Sequence, residues 1–209
     1  SENYAPLGQI DTSHSAFPTI RESQEGVANK YGSKVDLSAD GTRLAVVDPN
    51  YTNEAGMYGH VYVYELALSQ LPGIDVEWMP LGSPFSLGLA TQNGDMSLDL
   101  SDDGNTLVVG SKKTNSAKVF NYSGNNTWNE GQLLEPTDAS GFAVNHSLSV
   151  SDGGNVIAIG DIHNKTGAGE GRVVIYSTPN YFSQLQPSDT TPPTSSITAS
   201  VSDGGLSNS

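Results

Sequence analysis

Hydrophobic residues in this chain fall in short alternating runs, each cut off by an Asp-Gly, Gly-Gly or Ser-rich step. Apolar spacing of three and four residues, the mark of an amphipathic helix, is missing, so short strands are expected and long helices are not. One run is written three times. Val35-Asp36-Leu37-Ser38-Ala39-Asp40-Gly41-Thr42-Arg43-Leu44-Ala45-Val46-Val47 returns as Leu98-Asp99-Leu100-Ser101-Asp102-Asp103-Gly104-Asn105-Thr106-Leu107-Val108-Val109-Gly110, and again as Leu148-Ser149-Val150-Ser151-Asp152-Gly153-Gly154-Asn155-Val156-Ile157-Ala158-Ile159-Gly160. The anchor serines Ser38, Ser101 and Ser151 stand 63 and then 50 residues apart. Each copy is followed by a second motif: Gly59-His60-Val61-Tyr62-Val63-Tyr64, Ala117-Lys118-Val119-Phe120-Asn121-Tyr122 and Gly171-Arg172-Val173-Val174-Ile175-Tyr176.

The first motif predicts a hairpin. Its turn is built by Asp40-Gly41, Asp103-Gly104 and Gly153-Gly154, because Gly takes positive φ without steric cost and a turn Asp bonds nearby backbone amides. The second motif predicts a third strand, with Val61 and Val63 on one face and Tyr62 and Tyr64 on the other. Segments 77–82 and 127–131, each with one Trp, fit a fourth, outer strand. Four short antiparallel strands in a unit of about 50 residues make a propeller blade. The expected fold is therefore all-β, a partial β-propeller of about three four-stranded blades. A β-sandwich with similar turns is the competing reading, and the fixed order of two motifs in three units speaks against it.

The blades are expected at approximately 7–80, 81–131 and 132–187 within a propeller region 1–187, with a Thr/Pro/Ser-rich linker and the start of a further module at 188–209. Rings need about four to eight blades. The chain is thus expected to be a slice of a larger propeller, completed by the remaining blades of a parent chain or by self-association.

Composition narrows the partners. Nine Lys and Arg against 23 Asp and Glu give a net charge of -14, which repels phosphate backbones and anionic membranes, so nucleic acid is not an expected partner. No apolar run approaches the roughly 20 residues of a membrane span, and no membrane insertion is expected. The absence of cysteine removes disulfides, thiolate metal sites and cysteine nucleophiles. A cysteine-free, acidic, Ser/Thr/Asn/Gly-rich chain points to an extracellular or cell-surface location.

The pattern Ser-x-Asp-Gly-x-x-Leu-Ala-Val, then Gly-x-Val-x-Val-Tyr and a Trp step, resembles the FG-GAP-like repeat over roughly residues 7–185, with Tyr31-Gly32-Ser33-Lys34-Val35 opening its best copy. The resemblance implies blades akin to the integrin α-subunit head, which serve ligand recognition. The Gly-Ala-Pro of that family is replaced by Val47-Asp48-Pro49, Gly110-Ser111-Lys112 and Gly160-Asp161-Ile162, and its calcium loop is absent. WD-repeat and TolB-like propellers share the Ser-x-Asp-Gly turn and stay open as alternatives. Thr190-Thr191-Pro192-Pro193-Thr194 resembles the entry to an Ig-like or cadherin-like surface module.

Candidate chemistry is sparse. Asp40, Asp103 and Asp152, with Asp36 and Asp99 on adjoining strands, form an acidic cluster whose expected role is structural. A calcium site needs six or more oxygens at about 2.3–2.6 Å. The nearest approach is the segment that holds Asp48, Asn50, Asn53 and Glu54, which leaves calcium as the one weakly supported cofactor and otherwise none. His14, His60, His146 and His163 lack metal-ligand spacing, and no Gly-x-Ser-x-Gly elbow occurs. Carboxylate pairs for hydrolysis would come from separate blades and leave no linear trace. Tyr51 and Tyr58 are candidates for stacking on a sugar or protein ligand. The expected function is non-catalytic recognition or adhesion, binding protein or glycan through propeller loops. The alternatives are a secreted propeller hydrolase or lyase acting on polysaccharide, and a structural spacer.

Overall fold

The computed structural model describes residues 30–52, 58–68, 76–86, 96–111, 114, 116–135, 147–161, 172–179 and 181. These form three antiparallel sheets, one per sequence repeat, all within a compact unit spanning residues 1–178; a second unit covers 179–209. The first sheet runs β1 (Lys34–Leu37), β2 (Arg43–Thr52), β3 (Tyr58–Leu68), β4 (Val76–Pro80), with β5 (Phe85–Ser86) also pairing β3. The second runs β6 (Met96–Leu100), β7 (Thr106–Ser111), β8 (Ser116–Tyr122), β9 (Trp128–Leu134), and the third β10 (Leu148–Val150), β11 (Val156–Asp161), β12 (Arg172–Ser177). The fold is all-β, a partial propeller of three blades. Strand number departs from a uniform four: the first blade has five and the third has three among the described residues.

Each repeat folds as its local chemistry dictates. The Ser-x-Asp-Gly step reverses the chain through Gly41 N–H to Ser38 O at 2.9 Å, Gly104 to Ser101 at 2.7 Å and Gly154 to Ser151 at 2.8 Å. The last glycine of each turn has φ of +69°, +68° and +71°, a region that side chains disfavour. Asp40 and Asp103 receive the hydroxyl of Ser38 and Ser101, each at 2.6 Å, and the N–H of Thr42 and Asn105, each at 2.9 Å. Gly153 holds this position in the third turn, which keeps only the serine contact, Val156 N–H to Ser151 Oγ at 3.0 Å.

The two larger hydrophobic cores lie between blades rather than inside them. Ala45, Val47, Val61 and Val63 of the first blade meet Met96, Leu100, Leu107, Val109 and Phe120 of the second. Val108, Ala117, Val119 and Leu134 of the second meet Ile157 and Ile159 of the third. A blade held between two neighbours buries both faces, which explains why all six residues of β7 are buried and why its sequence reads as a continuous apolar run. On the far side of the first blade Val46, Tyr62 and Tyr64 pack with Tyr31 and Trp78, so the Val and Tyr faces of β3 separate as their alternation predicts.

Candidate functional site

The first strands of the three blades, β1, β6 and β10, lie next to one another, and a carboxylate joins each successive pair. Asp36 of β1 accepts the N–H of Leu100 in β6 at 2.7 Å. Asp99 of β6, at the equivalent repeat position, accepts the N–H of Val150 in β10 at 2.5 Å. Strand alternation sets this up, since Asp36 and Asp99 face the following blade while Leu98 and Leu100 face the preceding one. The third copy carries Ser149 instead.

These two carboxyls interact. Burial pushes Asp99 up to about 6, and the charge of Asp36 and a hydrogen bond with its carboxyl add to the rise, against the Val150 N–H, which favours the ionised form. Asp99 therefore keeps its proton to higher pH than an ordinary aspartate does, beside the Asp36 carboxyl. The turn aspartates differ. The Ser38 hydroxyl, with Thr42, holds Asp40 below the usual carboxylate range. At Asp103 burial works upward, but Ser101, Asn105 and Arg43 together hold the carboxyl low. Asp40 and Asp103 thus remain ionised turn formers.

Arg43 pins the first two blades at the turn end. Its guanidinium donates to Gly104 O at 3.0 Å and Asn105 Oδ1 at 2.6 Å, and its Cζ sits 4.4 Å from the centre of the Tyr122 ring. Backbone bonds run alongside, from Ala39 N–H to Asp102 O and from Asp103 N–H to Asp152 O, both 3.0 Å.

The other candidate residues are placed as follows. Asp48 is buried in β2, and its Oδ1 accepts N–H groups of Lys30 at 3.3 Å and Asn50 at 3.2 Å. Asn50 is half-buried on the same strand, while Asn53 and Glu54 lie outside the described residues. Among the described residues, no three His, Cys, Asp or Glu come together as a metal-binding group. Tyr51 is half-buried with its ring 4.0 Å from that of His60, and Tyr58 opens β3. Burial lowers His60 to about 4, keeping the imidazole neutral. Of the residues flagged from sequence, the structure unites Asp36 with Asp99. What sequence reasoning missed is that they act across blades; the signal was their shared place two residues before the anchor serine. No sequence feature marked Arg43.

No family model and no curated protein matches the chain. Among solved structures it is similar to a 6-phosphogluconolactonase-like protein of Bacteroides uniformis, at 14% identity and a TM-score of 0.44, over 70% of this chain and 37% of that one. It is also similar to the periplasmic gluconolactonase of Pseudomonas aeruginosa, at 19% identity and a TM-score of 0.38, over 68% of this chain and 40% of that one. A Lactobacillus plantarum protein matches at 17% identity and a TM-score of 0.39, over 70% of this chain and 40% of that one. The chain spans well under half the length of these structures, and likeness at this level concerns the fold. FG-GAP-like and Ig-like relatives are not among them. The expectation of a non-catalytic adhesion module, and of no enzyme, is corrected by these names: two of the similar structures are a 6-phosphogluconolactonase-like protein and a gluconolactonase.

Proposed function

We propose that this chain supplies three blades to an exported propeller hydrolase acting on neutral carbohydrate, with Asp99 and Asp36 as its acid–base pair. One observation carries the reading: the Asp99 carboxyl is pushed up to about 6 beside Asp36, on strands contributed by two different blades. A general acid works best when its pKa lies near the working pH. In the proposed reaction protonated Asp99 gives its proton to the leaving oxygen as water attacks. The Asp36 carboxylate takes the proton that the water releases, and exchange between the two carboxyls restores the pair. The charge of -14 disfavours polyanionic substrates. The Ser-x-Asp-Gly and Gly-x-Val-x-Val-Tyr motifs support kinship with FG-GAP-like repeats as part of this reading, and the acidic, cysteine-free composition supports an extracytoplasmic location.

The test is hydrolysis of neutral polysaccharides and of sugar lactones, the substrate class in the names of the matched gluconolactonases, measured against pH. The expected rate profile bends near pH 6, and Asp99→Asn lowers the rate by about a hundredfold or more. Asparagine retains an acceptor for Val150 N–H, so an unchanged melting temperature separates chemistry from folding. No turnover on any substrate, or an Asp99→Asn variant as fast as the parent, defeats the proposal and leaves the carboxylates as ties between blades.

A further inference from the structure

Five Asn-x-Ser/Thr sequences occur in the chain, at Asn50, Asn121, Asn125, Asn145 and Asn164. Asn145 and Asn164 lie outside the described residues. The fold separates the other three. Asn50 is half-buried within β2, where its N–H donates to Asp48. Asn121 is exposed on β8 but committed to the sheet. It pairs with Thr106 of β7 and Asn129 of β9, and its Oδ1 accepts the Thr106 hydroxyl at 3.4 Å. Its Nδ2 lies against Gly131, where a Cβ would come within 2.9 Å of it. Asn125 stands instead in the exposed turn between β8 and β9, closed by Thr127 N–H to Gly124 O at 3.1 Å and Ser123 N–H to Thr127 O at 3.0 Å.

Turn geometry accounts for the backbone of Asn125 and not for its side chain. Asn125 and Asn126 have φ of +50° and +57°, a region that Asn tolerates and Gly enters at no steric cost. Asn126 also uses its amide, whose Oδ1 accepts the Gly82 N–H at 2.5 Å. The amide of Asn125 makes no hydrogen bond. Beside it the exposed Thr127 hydroxyl donates to the Asn125 carbonyl at 3.1 Å, so the amide and the hydroxyl that together mark a glycan acceptor share one hairpin tip.

We propose that Asn125 is an acceptor of N-linked oligosaccharide. In the transfer, Nδ2 forms a bond to the anomeric carbon of an oligosaccharide carried on a lipid pyrophosphate. The anomeric C–O bond breaks, the lipid pyrophosphate leaves, and the amide gives up one proton. A bulky, hydrated glycan suits a surface position. The tip leads into β9, the edge strand of its sheet, so a glycan on Asn125 displaces no ladder hydrogen bond and no buried side chain. The same group on Asn50 would have to leave a half-buried strand. This inference rests on the extracytoplasmic location proposed above and is independent of the chemistry assigned to Asp36 and Asp99.

The experiment expresses the chain behind a secretory leader in a eukaryotic cell and maps the peptides of the secreted protein by mass spectrometry. The leader brings the chain to the glycosylating enzyme, so a failure at Asn125 is distinct from a failure of the proposed location. The peptide that contains Asn125 is expected to carry glycan in most molecules, and Asn50 none. Asn125→Gly keeps the positive φ of the turn and removes the acceptor; Thr127→Val keeps the acceptor and removes the hydroxyl. Both are expected to abolish the glycan at this peptide with unchanged circular dichroism, and Thr127→Ser to retain it. If little protein is secreted, the same peptide is mapped in the membrane fraction of the cells. An unoccupied Asn125, or a glycan on its peptide that survives Thr127→Val, overturns the proposal, and so does occupancy at Asn50 or Asn121 in its place.

Discussion

Gly41 and Gly154 hold the same turn position at nearly the same φ, yet an added methyl group would be received differently at each. Around Gly41 there is open space, so Gly41→Ala costs only the strain of a left-handed residue, about 1–2 kcal/mol. A Cβ on Gly154 would run into the hydroxyl and Cβ of Thr106 in the preceding blade. Gly154→Ala is therefore expected to cost at least about 1 kcal/mol more, as overpacking does, and urea unfolding of the two variants measures the difference. Two buried groups set the response to pH. Asp99, raised from 3.8 to about 6, holds its proton more tightly in the fold, so its contribution is complete below its unfolded value and lost as pH rises through 6. His60, lowered from 6.5 to about 4, acts in the opposite direction: its contribution is complete above 6.5 and lost as pH falls toward 4. Asp99→Asn removes the first effect and leaves the second. The melting temperature of that variant is expected to climb with pH between 4 and 6.5 more steeply than that of the parent.

At the scale of elements, β2 illustrates what local pattern conveys and what it hides. Its Leu44–Val47 half was legible because alternation and a preceding Asp-Gly turn are properties of a few adjacent residues. The Asp48–Thr52 half, part of the segment that comes nearest in sequence to a calcium site, continues as strand, with a register shift between Asp48 and Thr52 that accommodates Pro49. Pairing with β3 decides the matter, and β3 lies beyond local reach. The same limit applies to Arg43, whose partners Gly104 and Asn105 are about 60 residues away. Its fork of donors and its place over Tyr122 hold the turn of one hairpin to the next. Arg43→Ala is expected to cost about 2–3 kcal/mol in chemical denaturation, and Arg43→Lys to recover only part of it, because an ammonium cannot make the planar, forked contact. Glu65, 3.4 Å from Arg43 but 44% exposed, adds little.

For the molecule as a whole, cohesion resides in the junctions. Since the two larger cores are each shared by two blades, stability follows a nearest-neighbour sum, and removing a blade uncovers a core face rather than a surface. The blades were readable because three copies of two motifs repeat in phase. The candidate chemistry was not, because the pairing of Asp36 with Asp99 follows from stacking two sheets, and no spacing along the chain encodes it. That stacking also has a direction. In both clamps the carboxylate comes earlier in the chain than the N–H it captures, by 64 residues for Asp36 and 51 for Asp99. During synthesis each finished blade therefore emerges with its latch already open toward the ribosome, waiting for a strand still to be made. At about 5–20 residues per second the wait is several seconds, and the array locks one blade at a time from its N-terminal side.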